Sequence, residues 1–100
     1  MKILGIDPGL NICGYAVIES ISGDNRLIEA GICKTDPKAD LSQRLVSIAN
    51  DIESLLDRHK PDCVAVEQLY SHYAHPRTAI LMGHARGVIL QRCAEERKQN

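Results

Sequence analysis

One hundred residues with 44% apolar content and a net charge of −1 suffice for one modest core of Ile, Leu, Val and Ala, since the chain has three tyrosines and neither Phe nor Trp. Near-neutrality excludes a strongly basic nucleic-acid surface spread over the whole chain, though not a local patch. No apolar run approaches the roughly 18 residues that span a bilayer, and Met1-Lys2 leads straight into a strand-like run rather than a signal peptide. These features predict a soluble, cytoplasmic protein without a membrane partner.

Residues 2–7 read as a short strand, apolar on both faces, as in the centre of an α/β sheet. The strand ends on Asp7, and Pro8-Gly9 behind it has the pattern of a type II turn with positive φ at the glycine. A buried, unpaired charge costs several kcal/mol or more, so Asp7 calls for a hydrogen-bonded turn, a cation partner or a metal ion. Residues 12–20 and 26–34 are two further strands, joined through a hairpin loop at Ser22-Gly23-Asp24-Asn25.

Residues 41–58 form the clearest helix. Leu41, Leu45, Ile48, Ile52, Leu55 and Leu56 make one apolar stripe, Asp40 with Gln43 suggests a capping box, and Lys60-Pro61 closes the helix. Residues 63–67, Cys-Val-Ala-Val-Glu, form a fourth strand that, like the first, ends on an acid, Glu67. A loop through Tyr70, His72, Tyr73, His75 and Arg77 follows, and Pro76 suits the first turn of a second helix running to about residue 96. In that helix Ala79, Gly83 and Gly87 share one face, continued by Leu90 and Ala94. Close packing there would compensate the roughly 1 kcal/mol that each helical glycine costs relative to alanine.

Cysteines 13, 33, 63 and 93 form no CxxC pair and read as buried thiols in a reducing compartment. A zinc site combining them with His72 and His75 has the wrong ligand spacing.

Strand, hairpin, helix, strand, helix is an α/β layout. If the fourth strand pairs in parallel with the first, Asp7 and Glu67 meet at the carboxyl ends of adjacent strands, where open α/β sheets place their sites. Two like charges there are reconciled by a hard divalent cation. Magnesium typically takes one or two carboxylates plus waters and phosphate oxygens, which points to phosphodiester chemistry. Each acid alone has a bland reading, Asp7 as a turn cap and Glu67 as a solvated strand end.

"GIDPG" followed by "GYAVI", then "VAVEQLY" and "GHARGV", resembles the N-terminal part of the RuvC family of Holliday junction resolvases, over nearly the whole chain. The resemblance implies a ribonuclease-H-like α/β fold, a mixed sheet with flanking helices. Residues 1–100 would be a single incomplete domain, truncated before the fifth strand and the C-terminal helix. It implies a homodimeric crossover junction endodeoxyribonuclease that cuts four-way junction DNA symmetrically in recombination and repair, with Mg2+ or Mn2+, alongside the RuvA–RuvB branch-migration complex. Asp7 and Glu67 would be its first two catalytic, metal-binding carboxylates, and Tyr70 an aromatic that stacks on DNA near the cut. The His-rich loop after Glu67 departs from the family by about one extra residue; within it Arg77 is a candidate DNA contact from its own chemistry, and the histidines read as solvated. Arg86, within Gly-His-Ala-Arg-Gly, either pins the second helix or meets phosphate, the structural role being preferred. The family's last two acids and its DNA-binding lysines lie beyond Asn100, so the isolated chain is expected to be inactive or nearly so. Its fourth strand is expected to expose an edge that favours association with a second chain.

Two rivals remain at this point. One is an actin-like phosphotransferase, disfavoured because Leu10 and Ile12 stand where such phosphate loops offer Ser or Thr. The other is a non-catalytic module of the same fold that binds DNA or protein through residues 70–77.

Overall fold

The computed structural model describes residues 1–68 and 75–99. Three strands, β1 (Lys2–Asp7), β2 (Ile12–Ile21) and β3 (Asp24–Lys34), precede helix α1 (Leu41–His59), which is followed by β4 (Cys63–Val66) and helix α2 (Pro76–Gln99). The sheet order is β3-β2-β1-β4. β1 pairs antiparallel with β2 and parallel with β4, and β2 pairs antiparallel with β3, with a bulge at Val17/Ile18. The parallel β1–β4 pairing assumed from the strand pattern is therefore present, and β4 is an edge.

Alternation along the strands sorts the side chains. Leu4, Ile6, Cys13, Val17 and Cys33 point to one face and are buried there against Ile48, Ile52, Leu55 and Leu56 of α1 and Ala85, Ile89 and Cys93 of α2. Both helices thus cover the same face. On the opposite face Gly5, Gly14, Ala16, Ala30, Ile32 and Ala65 are exposed or half-buried, with Ile32 at 55% exposure, and no described element covers them.

Local structure departs from the sequence pattern at four places. The hairpin loop contracts to Ser22-Gly23, both at positive φ (51° and 83°), so Asp24 and Asn25 join β3. Positive φ at both central residues is the type I′ geometry whose twist matches flanking strands. Gly9 does not adopt positive φ, so the type II reading fails. Glycine is required there because a Cβ would lie 2.2 Å from the Ile12 carbonyl oxygen. Asp40 occupies the N-cap of α1, but its side chain makes no capping bond and the capping box with Gln43 does not form. At the other end Lys60 closes α1 in the left-handed conformation (φ 46°), its N–H donating to the Leu56 carbonyl.

The fourth departure lies in α2. Its buried face is Ala85, Ile89 and Cys93, while Gly87 and Ala94 are exposed, and a Cβ on Gly87 would meet nothing within 4 Å. Among the described residues, nothing packs on the position a Cβ at Gly87 would take, and Ala94 is exposed.

The cysteines carry thiols rather than disulfides, buried at 13, 33 and 93 and half-buried at 63. Burial pushes the Cys33 thiol up to about 11, which keeps it unreactive. Among the described residues no three His, Cys, Asp or Glu side chains gather as metal ligands, and no helix is long and apolar enough to cross a membrane.

Candidate metal centre and its family

Asp7 is the last residue of β1 and Glu67 the first after β4. The parallel register, ending at Ile6↔Val66, makes them neighbours, and the Glu67 N–H donates to the Ile6 carbonyl at 3.0 Å. Asp7 alternates with buried Ile6, and Glu67 with Val66, which packs against the core, so both carboxylates point to the bare face. Neither is buried. The cost expected for a buried charge at Asp7 is therefore not incurred, and mutual repulsion is what the site has to resolve. A hydrogen bond to Asp7, and then the negative charge of Asp7, hold the Glu67 carboxyl above its ordinary range.

The pair stands at the edge of an open groove of about 460 Å³ whose floor includes Gly5, Gly14, Ala16 and Ala65. A Cβ at Gly5 or Gly14 would make only ordinary contacts, at 3.9 and 3.8 Å, so packing among the described residues does not demand these glycines. Their effect is to leave the floor low beside the two acids.

The donor set fits a hard cation. Two carboxylates supply oxygen ligands and negative charge, and their solvent-open side leaves room for water or phosphate oxygens, the usual surroundings of Mg2+. No cysteine or histidine among the described residues joins them to favour a softer metal.

The supporting residues come from the covered face. Arg86 of α2 donates from Nε to the Glu67 carbonyl at 3.0 Å. This bears out the pinning role preferred for it from sequence. The loop after Asp7 is tied down as well: the Cys13 thiol donates to the Gly9 carbonyl at 2.9 Å, and the Thr35 hydroxyl donates to the Leu10 carbonyl at 2.6 Å. Arg44 of α1 donates from Nε to the Thr35 hydroxyl at 2.9 Å and from Nη2 to the Asn11 side-chain oxygen. Arg44, Thr35 and Asn11 carry no sequence signal of this role, because their convergence depends on where α1 packs. Arg77 is exposed in the first turn of α2. Tyr70, His72 and Tyr73 lie outside the described residues.

A family model described as crossover junction endodeoxyribonuclease RuvC matches residues 3–99. The chain belongs to the RuvC family. It is 53% identical over 87 residues to the RuvC of Rhodopirellula baltica, covering 87% of this chain and 49% of that protein. With the RuvC of Prochlorococcus marinus strain MIT 9313 it shares 40% identity over 97 residues, covering 97% and 62% respectively. Among solved structures it is similar to Thermus thermophilus RuvC in complex with a Holliday junction substrate, with a TM-score of 0.84, 31% identity, and coverage of 95% of this chain and 60% of that one. The ribonuclease-H-like mixed sheet is thereby established. An Aquifex aeolicus PPX-GPPA enzyme shares the fold alone, at 13% identity and a TM-score of 0.56. The chain spans about half to three-fifths of the length of these RuvC relatives.

Proposed function

We propose that this chain supplies the N-terminal half of a metal-dependent, junction-resolving endonuclease acting in DNA recombination and repair. The observation that carries the reading is the pairing of Asp7 and Glu67 at adjacent strand ends on the uncovered sheet face. A Mg2+ or Mn2+ ion bound there would activate water and neutralise charge on a phosphodiester. The chain's own contributions are electrostatic and geometric. The two carboxylates hold the cation, and the low floor of Gly5, Gly14, Ala16 and Ala65 gives a bulky backbone access to them. Arg77, exposed at the start of α2, offers a cation to DNA phosphate, and Tyr70 a ring to an unstacked base.

Two oxygen donors are too few to close a hard-cation shell. The rest of the site comes, in this reading, from the C-terminal half that the relatives carry, packed across the bare face and the β4 edge. Extended by the C-terminal half of the Rhodopirellula relative, the chain is expected to cut a synthetic four-way junction symmetrically, leaving 5′-phosphate ends, in Mg2+ but not in excess chelator. The 100-residue chain alone is expected not to cut. Cleavage that survives chelation overturns the metal assignment. Assembly with RuvA–RuvB and action in the cytoplasm accompany this reading.

The homodimer belongs to the same proposal, and α2 supports it. Gly87 and Ala94 lie exposed beside Leu90, which is 41% exposed, and Ile80 is 61% exposed nearer the helix start. The cost of a glycine at 87, about 1 kcal/mol, is uncompensated by any packing among the described residues. A second copy packed on this stripe would compensate it. Gly87→Leu is then expected to turn a dimer into a monomer by light scattering, with the helix retained. A monodisperse wild-type monomer at micromolar concentration counts against the dimer.

A further inference from the structure

We propose that Arg86 and Arg44 are positioning residues, two guanidinium groups reaching from the helix-covered side that fix the Asp7 and Glu67 carboxylates at the separation a shared divalent ion requires. The inference rests on the metal reading above and adds to it the parts that hold the two acids in place.

The geometry is complementary at the two acids. Past Val66 the β1–β4 ladder ends, and Glu67 keeps one backbone bond on each side: its N–H to Ile6 and its carbonyl to Arg86 Nε, each at 3.0 Å. The second bond is the last described anchor before the chain leaves the sheet. On the other strand, Arg44 acts through a relay. The Thr35 hydroxyl has a single hydrogen, spent on the Leu10 carbonyl at 2.6 Å, so it can only accept from Arg44 Nε at 2.9 Å, and Arg44 Nη2 holds the Asn11 side chain. Asp7 is thereby held from behind by the loop that follows it.

Both arginines spend their described hydrogen bonds on neutral oxygens. The ion pairs among the described residues involve Arg58 and His59 with Glu29, and Arg92 with Glu95. A guanidinium near a cation site that does not neutralise a carboxylate repels the cation, so charge alone gives these residues the wrong sign for metal binding. Their benefit has to be geometric. Two adjacent carboxylates without a metal drive each other apart, and a hard-cation site tolerates errors of only about 0.2 Å in ligand distance.

That opposition of signs makes the test decisive. Mn2+ is titrated into the chain completed with the C-terminal half of the Rhodopirellula relative and free Mn2+ is counted by electron paramagnetic resonance, with Asp7→Asn as the control for site occupancy. Arg86→Met is expected to weaken Asp7-dependent Mn2+ binding about ten- to a hundredfold, the usual loss when an outer-shell partner is removed. Arg86→Gln removes the charge but keeps an N–H donor for the Glu67 carbonyl, and is expected to stay within about threefold of wild type, since the orienting bond survives. Arg44→Met is expected to weaken binding in the same direction. The unfolding midpoint is followed for each variant, and if Arg86→Met does not fold, Arg86→Gln and Arg44→Met decide. Unchanged or tighter Mn2+ binding in the folded methionine variants overturns the proposal while leaving the metal site standing, and assigns the arginines to another role such as phosphate contact. Loss of binding in Arg86→Gln equal to that in Arg86→Met also overturns it. Absence of Asp7-dependent binding in the completed protein without substitutions overturns the metal reading and this inference together.

Discussion

Asp7→Asn is expected to abolish cleavage by the chain completed with a relative's C-terminal half, while making the fold more stable in the absence of metal. Asparagine keeps the size of the side chain and one oxygen but removes the charge that draws in the cation. The expected loss in rate is on the order of 10³-fold, the upper end of what removing one preorganised charge-stabilising group costs. Stability moves the other way. Glu67 titrates above its ordinary range in the folded protein because Asp7 is beside it. A carboxyl whose folded pKa lies above its unfolded one weakens the fold at pH values above the folded pKa, and that penalty disappears as pH falls below the unfolded one. Wild type should therefore unfold at a lower temperature than Asp7→Asn at neutral pH in chelator, and the gap should close on acidification. Added Mg2+ should raise the midpoint of wild type and leave the variant unmoved. Thermal scans at two pH values, with and without Mg2+, check both halves of the expectation. Retained cleavage, or an equal response to Mg2+ in the two proteins, removes Asp7 from the site.

Gly9→Ala should be the most damaging single methyl group in the chain. The added Cβ would lie 2.2 Å from the Ile12 carbonyl oxygen and 3.2 Å from its carbon, both backbone atoms that cannot swing aside. The loop must open, and with it go the bonds of Gly9 to the Cys13 thiol. Overpacking of this kind costs about 1–3 kcal/mol. For a domain of this size that corresponds to a drop of roughly 4–8 °C in unfolding midpoint per kcal/mol. Because the displaced residues follow Asp7 directly, Mn2+ binding should weaken in the fraction that remains folded. Gly14→Ala is the matched control. Its Cβ would stand 3.8 Å from that of Asp7, an ordinary contact, so its midpoint should stay close to wild type. Equal midpoints for Gly9→Ala and wild type would show that the loop is not packed in this way.

The two carboxylates are legible in the sequence because each closes an apolar strand, and a charge in that position demands a reason. Their adjacency is not legible there. It depends on β4 choosing the β1 edge of the sheet over the β3 edge, a choice made by the packing of α1 and α2 onto a common face. The apolar period of α1 is equally plain, since Ile48, Ile52, Leu55 and Leu56 repeat at helical spacing and are the residues buried. In α2 the same reasoning leaves open which neighbour each stripe meets. Its sequence offers a small-residue stripe and an apolar one, and a period cannot say which of the two meets the sheet. The structure buries Ala85, Ile89 and Cys93 and leaves Gly87 in the open.

By itself the sequence determined the order and kind of the elements, the core set of α1, the two acids at strand ends and the likeness to RuvC. All of these reside in local runs and spacings that a strand or helix must satisfy wherever it is placed. Only the tertiary structure decided that the acids share a face, that no described helix covers this face, and that Arg86 bonds the Glu67 carbonyl while Arg44 bonds Thr35 and Asn11 behind the loop after Asp7. Those facts join residues as far apart as Asn11 and Arg44, or Glu67 and Arg86, through the packing of helices on a sheet. No periodicity along the chain records such a relation, because it comes into being only when the elements meet.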